Sequence, residues 1–315
     1  MPWNKHSSNT PLAHTYILAA NILYGLNYVI AKVALQVIPA FGLVLTRVTI
    51  PLVLFFIFHK IFIREKVDRK DHLLLFFCGL FGVAANQLMF IKGLSLTSEI
   101  HASLLMITTP ILVMVASWFV LKETVTWRKI IGIIIGGIGV YLLVQGGTTE
   151  TQSSSTVAGD LLIVGNAAVY AIFLVIAKPL MQKYSPFTIA LWIFFYGWFI
   201  VFPFGIKEFL SVDWMHLDTP IFAAWLYVVF GATLLAYVFN VLGLKYGTPT
   251  LVSIYIYTQP VIATLVAVIL GTDILTLPKV IASLCIFTGV AIVSFEIGKT
   301  FLKKTTVTRK LNKQV

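Results

Sequence analysis

Charge is scarce in this chain: only 11% of its 315 residues are Asp, Glu, Lys or Arg, and the 12 acidic residues are outnumbered by 23 basic ones. That is too little charge to cover a soluble globule of this length, so a water-exposed fold is excluded. Cysteine is almost missing too. Cys78 and Cys285 sit within apolar runs, which excludes a disulfide framework and a cysteine metal site. The apolar segments hold no paired carboxylates and no His/Cys/Glu cluster at metal-ligand spacing. No motif places a nucleotide loop or a Ser/His/Asp constellation. No cofactor, no metal, no catalytic centre and no ATP-hydrolysing module are therefore expected. Segments of about ten residues with strict in/out alternation are also lacking, which excludes a transmembrane β-barrel.

Apolar sequence is what remains. Hydrophobic residues make up 59% of the chain and the mean hydropathy is +0.94. Crossing a hydrocarbon core takes roughly 20 apolar residues as helix, because each backbone N–H and C=O must be satisfied within the segment. Apolar runs fall at about 15–35, 40–63, 73–95, 100–121, 130–145, 159–181, 187–206, 220–243, 250–271 and 279–297. The expected fold is all-α integral membrane, with ten transmembrane helices. A secretory leader is the competing reading of residues 1–35, but the run is long for a leader and its Tyr24–Lys32 pattern recurs inside the chain.

The stretch Gly93–Val144 lies over Gly243–Ser294 at a constant offset of 150 residues. Ser103/Ser253, Thr108/Thr258, Pro110/Pro260, Thr126/Thr276, Lys129/Lys279 and Gly139/Gly289 coincide, and Glu123 meets Asp273. At the opening helices Tyr24–Lys32 matches Tyr170–Lys178. Identities that keep phase across several hydrophobic segments signal a duplicated unit. The polar run GGTTETQSSST from Gly146 to Thr156 reads as the join. The domains expected are a first five-helix repeat at 1–146, an external linker at 147–158, a second five-helix repeat at 159–298 and a basic cytoplasmic tail at 299–315. Since five is odd, the second copy enters the membrane upside down, giving two inverted five-helix repeats.

Lys and Arg counts set the orientation. With the N-terminus in the cytoplasm, 18 of the 23 basic residues fall inside, Lys32, Lys92, Lys207 and Lys279 fall outside, and Arg47 falls within a helix. Both termini are expected in the cytoplasm of a multi-pass protein of the cell membrane, inner or plasma. The net charge of +11 then reflects orientation and contact with anionic membrane lipids, and no nucleic acid is expected as a partner.

The run ASLLMITTPILVMVASWFVLKETVTWRKIIGIIIGGIGVYLL carries a small residue, a mid-helix proline, an acidic residue at a helix end and a glycine-containing helix. Together with Tyr24-Gly25…Lys32 and Arg47, it resembles the EamA-type transporters of the drug/metabolite transporter superfamily. The resemblance spans nearly the whole chain. The second half departs from it in Asp273, where Glu is commoner, and in Ile193 opposite Arg47. What the resemblance implies is a secondary transporter exporting a small metabolite such as an amino acid. A small-molecule substrate, and a coupling ion as a further possible partner, belong to that reading. The alternatives are an integral-membrane enzyme acting on lipid, using His101, Glu99 and Lys92, and a channel-like facilitator.

The residues also suggest a site. Pro110 and Pro260 remove a backbone donor and clash with the carbonyl four residues back, so Met106 O and Ile256 O are expected to be freed. Interrupted helices at matching places in two halves point to a substrate site, with the prolines as hinges. Polar side chains on the facing surfaces are expected to converge: Tyr24, Asn27 and Tyr28; Asn86 and Gln87; His101 and Thr109; Asn166 and Tyr170; Tyr237 and Asn240; Tyr255 and Gln259. Arg47 is expected to face the bundle as a buried structural charge. Lys32 and Lys178 are expected to snorkel, Glu123 to pair with nearby Lys or Arg, and the Gly132, Gly136, Gly137 and Gly139 group to pack helices closely.

Overall fold

The computed structural model describes residues 10–97, 102–103, 105–145, 156–269 and 275–311, and among them every regular element is a helix. The helices are α1 (Thr10–Ala34), α2 (Ala40–Phe58), α3 (His72–Gly79), α4 (Ala85–Leu96), α5 (Thr108–Leu121), α6 (Trp127–Gln145) and α7 (Val157–Lys183). They continue with α8 (Pro186–Leu210), α9 (Thr219–Leu226), α10 (Ala236–Tyr246), α11 (Pro249–Ile254), α12 (Thr258–Ile269) and α13 (Leu277–Leu311). Several are consecutive parts of one rod. A π turn at Leu80–Ala84 joins α3 to α4, another at Tyr227–Leu235 joins α9 to α10, and a 3-10 turn at Tyr255–Tyr257 joins α11 to α12.

Eight of the resulting helical spans are long and apolar enough to cross a membrane, and Thr108–Leu121 is a shorter apolar helix. The chain is thus an all-α membrane protein. Expected boundaries shift by a few residues, as fraying ends and caps dictate. The largest shift is at the end of the chain: α13 runs on through the expected 299–315 tail as far as Leu311. No glycine or proline comes after Gly298 to stop it. At the linker, Val157 already begins α7, while 147–155 lies outside the described residues.

Helices before and after the linker interleave. The strongest packing pairs are α6 with α13 and α2 with α8; α1 lies along α10 and α12, α4 along α7, and α5 also along α7. Exchanging the two halves of the sequence maps this pattern onto itself. The pair α1/α10 becomes α7/α4, and α5/α7 becomes α12/α1.

Glycine sets how close the α6/α13 pair comes. A Cβ on Gly289 would stand 2.5 Å from Gly132 O and 2.7 Å from Gly136 N, so the two backbones touch and no larger residue fits.

The α2/α8 pair is clasped at both ends by carboxylates. Glu208, at the end of α8, accepts from Phe41 N at 2.6 Å and Gly42 N at 3.0 Å at the start of α2. Glu65, beyond the end of α2, accepts from Ser185 N at 2.8 Å at the start of α8. Each helix leaves N–H groups unpaired in its first turn, and a carboxylate there both satisfies them and meets the positive end of the helix dipole.

Candidate functional site

At the centre of the bundle lies a cavity of about 80 Å³, bounded by side chains from α1, α2, α4, α7, α10 and α12 and from the turns beside them. It has room for a handful of waters and is far smaller than the roughly 300–1,000 Å³ of a pocket that engulfs a drug-sized ligand, so the bundle is contracted around it.

Ten of the expected site residues line it: Tyr24, Asn27, Tyr28, Asn86, Gln87, Asn166, Tyr170, Tyr237, Asn240 and Gln259. Their polar groups are tied to one another across helices. Gln259 donates to Asn21 Oδ1 at 2.7 Å, Asn166 donates to Asn86 O at 2.8 Å, and the Tyr170 hydroxyl pairs with the Asn240 amide at 2.9 Å. Tyr28 packs edge-on to Phe90 and Tyr237 edge-on to Phe194. Gly82 lets the Phe173 ring lie against the π turn, since a Cβ there would be 2.3 Å from the ring.

Two of the remaining three expectations do not hold this position. Tyr255 turns away and meets His14 Nδ1 at 2.6 Å through its hydroxyl. The expectation put Tyr255 and Gln259 on one face of a uniform α-helix. The 3-10 turn at Tyr255–Tyr257 advances by about 120° per residue instead of 100°, so Ile256, rather than Tyr255, shares the cavity face with Gln259. Thr109 is fully buried with its hydroxyl toward Met106 Sδ at 3.8 Å, and Met106 lines the cavity in its place. His101 lies outside the described residues.

The prolines also act differently from the expectation. Pro110 and Pro260 sit in the first turns of α5 and α12, where a missing N–H costs nothing. Met106 O is not freed, because Thr109 N–H donates to it at 3.1 Å. At the start of α12, Thr258 takes up Tyr255 O with its hydroxyl at 2.7 Å. Both rods therefore break before the proline and restart two residues ahead of it, at Thr108 and Thr258. The two breaks meet: the Tyr257 hydroxyl donates to Ile107 O at 3.0 Å, joining positions 150 residues apart.

Arg47, Asn21, Gly82, Phe90, Met106 and Ile256 line the cavity as well, beyond the side chains expected there from the polar faces. For Arg47 the signal is present in the sequence, since a charge inside an apolar helix must find polar surroundings. It is 3% exposed and donates from Nε to Thr233 Oγ1 at 2.8 Å; Thr233 in turn donates to Val228 O in the π turn. Three buried polar atoms of the cavity side chains have no partner among the described residues: Asn27 Oδ1, Arg47 Nη1 and Tyr237 OH. The set bounding the cavity contains no Asp or Glu.

The lysines expected to snorkel are held by backbone carbonyls at the ends of neighbouring helices. Lys32 donates to Thr97 O at 2.8 Å, and Lys178 donates to Leu244 O at 2.6 Å and to Gly247 O. Carbonyls left over at helix ends lack an intrahelical donor, and an ammonium supplies one. Glu123 stands 3.4 Å from Lys129 Nζ and accepts from the Thr250 hydroxyl at 2.8 Å, so it braces the end of α5 against α6 and α11. On the face beyond α2, Lys183 pairs with Asp68 and Asp71, and Tyr184 donates to Asp71 at 2.6 Å. No group of three or more metal-ligating side chains occurs among the described residues.

An apolar multi-pass bundle enclosing a polar cavity built from amides and phenols defines a membrane protein of the transport class. The chain belongs to the EamA-like transporter family, whose pattern matches residues 11–145 and 157–295. Among its relatives is an uncharacterised transporter of Archaeoglobus fulgidus, 26% identical over 81% of this chain and 87% of that one. The uncharacterised transporter YetK of Bacillus subtilis is 27% identical over 70% of this chain and 67% of that one. A WAT1-related protein of Arabidopsis thaliana is 24% identical over 69% and 66%. One solved crystal structure superposes with a TM-score of 0.72 at 19% identity, covering 94% of this chain and 99% of that chain, which is a likeness of fold. The archaeal and the Bacillus relatives are both named as transporters.

Proposed function

We propose that the chain is a secondary carrier of the cell membrane that exports a small polar metabolite by alternating access through the central cavity, with both termini in the cytoplasm. The observation that carries this reading is the cavity itself: uncharged amides and phenols from both halves converge there, with Asn27 Oδ1 and Tyr237 OH buried and unpartnered among the described residues. Such groups cost about 1–3 kcal/mol each when nothing answers them, so a solute with matching donors and acceptors gains affinity by doing so. Carboxylate clasps at the two ends of α2/α8, Glu65 at one and Glu208 at the other, suit a bundle that opens one end at a time. The packing pattern that survives exchange of the halves supports two inverted repeats as the rocking units.

The test is flux of labelled metabolites in vesicles containing the purified protein. The expected outcome is saturable transport, lowered by Gln259→Leu at normal membrane abundance and unaffected by Ile269→Leu, a change on the exposed side of α12. Unsaturated flux over the accessible concentration range would replace the carrier with a channel. Absence of flux for every solute would remove the transport route through this cavity.

A further inference from the structure

The polar lining of the cavity is uncharged except at one place. Arg47 projects from α2 into it, and its guanidinium has five N–H donors; Nε is used by Thr233, while Nη1 has no partner among the described residues. No carboxylate lines the cavity to neutralise it. A buried charge held without a counter-ion is expensive, and such groups persist where something answers them.

A purely structural role for the charge is opposed by the duplication. Ile193 stands at the counterpart position in the second half and is fully buried in α8, so the helix pair packs with an aliphatic side chain at that place. The α2/α8 contact does not demand a guanidinium. One half carries it where the cavity is, in a lining that also holds Asn27 Oδ1, an acceptor, and Tyr237 OH.

Resting on the carrier reading, we propose that Arg47 is the docking group for a carboxylate on the transported solute, so that the substrate class is small organic acids and carboxylate-bearing zwitterions rather than cations or neutral solutes. The planar fork of the guanidinium matches a carboxylate, and the bond is charge-assisted on both sides. Asn27 Oδ1 accepts from a donor elsewhere on the solute, a hydroxyl or an amine. The small contracted volume admits a compact head group and leaves bulkier tails to an expanded state of the bundle.

The experiment is a thermal-shift titration of the purified full chain in detergent, in chloride-free buffer, with lactate and benzoate against lactamide and benzamide. The carboxylates should raise the unfolding temperature saturably and the isosteric amides should not. Arg47→Gln should raise the apparent Kd for the carboxylates by about tenfold or more, the loss expected of one hydrogen bond to a charged group. Arg47→Lys, which keeps the charge and loses the fork, should fall between, and it carries the test where Arg47→Gln does not accumulate. Equal stabilisation by amides, or carboxylate affinity unchanged in both variants, would overturn the proposal. So would stabilisation by chloride that no carboxylate displaces, which would assign the guanidinium to a resident inorganic ion. Saturable vesicle flux confined to cations and neutral solutes, undiminished in Arg47→Gln, would remove this inference and leave the carrier standing. Carboxylate binding with no flux would remove the carrier and leave the site.

Discussion

Lys178 shows how one ammonium can serve several backbone carbonyls at a helix end. Its Nζ reaches Leu244 O, Lys245 O and Gly247 O, carbonyls at the end of α10 that no helical N–H serves. Lys178→Met should therefore lower stability by about 1–3 kcal/mol, since buried acceptors lose their donor. The measurement is the unfolding midpoint in detergent, with Lys207→Met, at the end of α8 and away from these carbonyls, expected to leave it unchanged. Residue chemistry of this kind is only half legible in the sequence. Lys32 and Lys178 are recognisable there as a matched pair, and both do meet carbonyls 150 residues apart, Thr97 O and Gly247 O. Which carbonyls they meet depends on where α4 and α10 end, which pattern alone does not place. Arg47 is legible as buried and not as a cavity residue, because its environment is supplied by the π turn holding Thr233.

At the scale of the element, the glycines of α6 are packing positions by sequence, and their backbone does touch that of α13. The contact is uneven along the helix. Around Gly289 the neighbours are backbone atoms at 2.5–2.8 Å, which cannot rotate away, whereas a Cβ on Gly137 would meet Ile107 Cγ2 at 3.3 Å, a side chain that can. Gly289→Ala should thus cost about 1–3 kcal/mol through forced backbone separation, and Gly137→Ala little. Thermal unfolding of the two variants decides it, and equal midpoints would mean that α13 can shift without loss. The rods that surround the cavity are harder to read. Expected sites at Tyr255 and Thr109 assume one α-helical phase through each proline. The 3-10 turn, and the restart of each rod just ahead of Pro110 and Pro260, change that phase and bring Ile256 and Met106 to the cavity face. Short non-α turns leave hydropathy unchanged, so periodicity gives no warning of them.

For the whole molecule, the orientation inferred from Lys and Arg makes a direct prediction. Lys66 lies past the end of α2 and Met215 past the end of α8; both are exposed, and they stand beyond opposite ends of the α2/α8 pair. In a chain with Cys78 and Cys285 replaced, a cysteine at Lys66 should react with an impermeant reagent only from the cytoplasmic side and one at Met215 only from the other. Labelling of both from one side would sink the inverted arrangement.

The solvent, the helical class, the family and the presence of a duplicated pattern were determined by the sequence itself, because they rest on sums and periods along the chain: apolar content, run length, charge bias and residues recurring at a fixed offset. Most of the cavity side chains were also within reach, since amides and phenols in a bilayer have nowhere else to converge. What the tertiary structure alone decided is which polar groups stay unanswered. Asn166, Tyr170, Asn240 and Gln259 are satisfied by neighbours, while Asn27 Oδ1, Arg47 Nη1 and Tyr237 OH have no partner among the described residues. Satisfaction is a matter of distances between helices far apart in the chain, set by glycine contacts, carboxylate clasps and the phase lost at each π and 3-10 turn, and no local pattern records those distances.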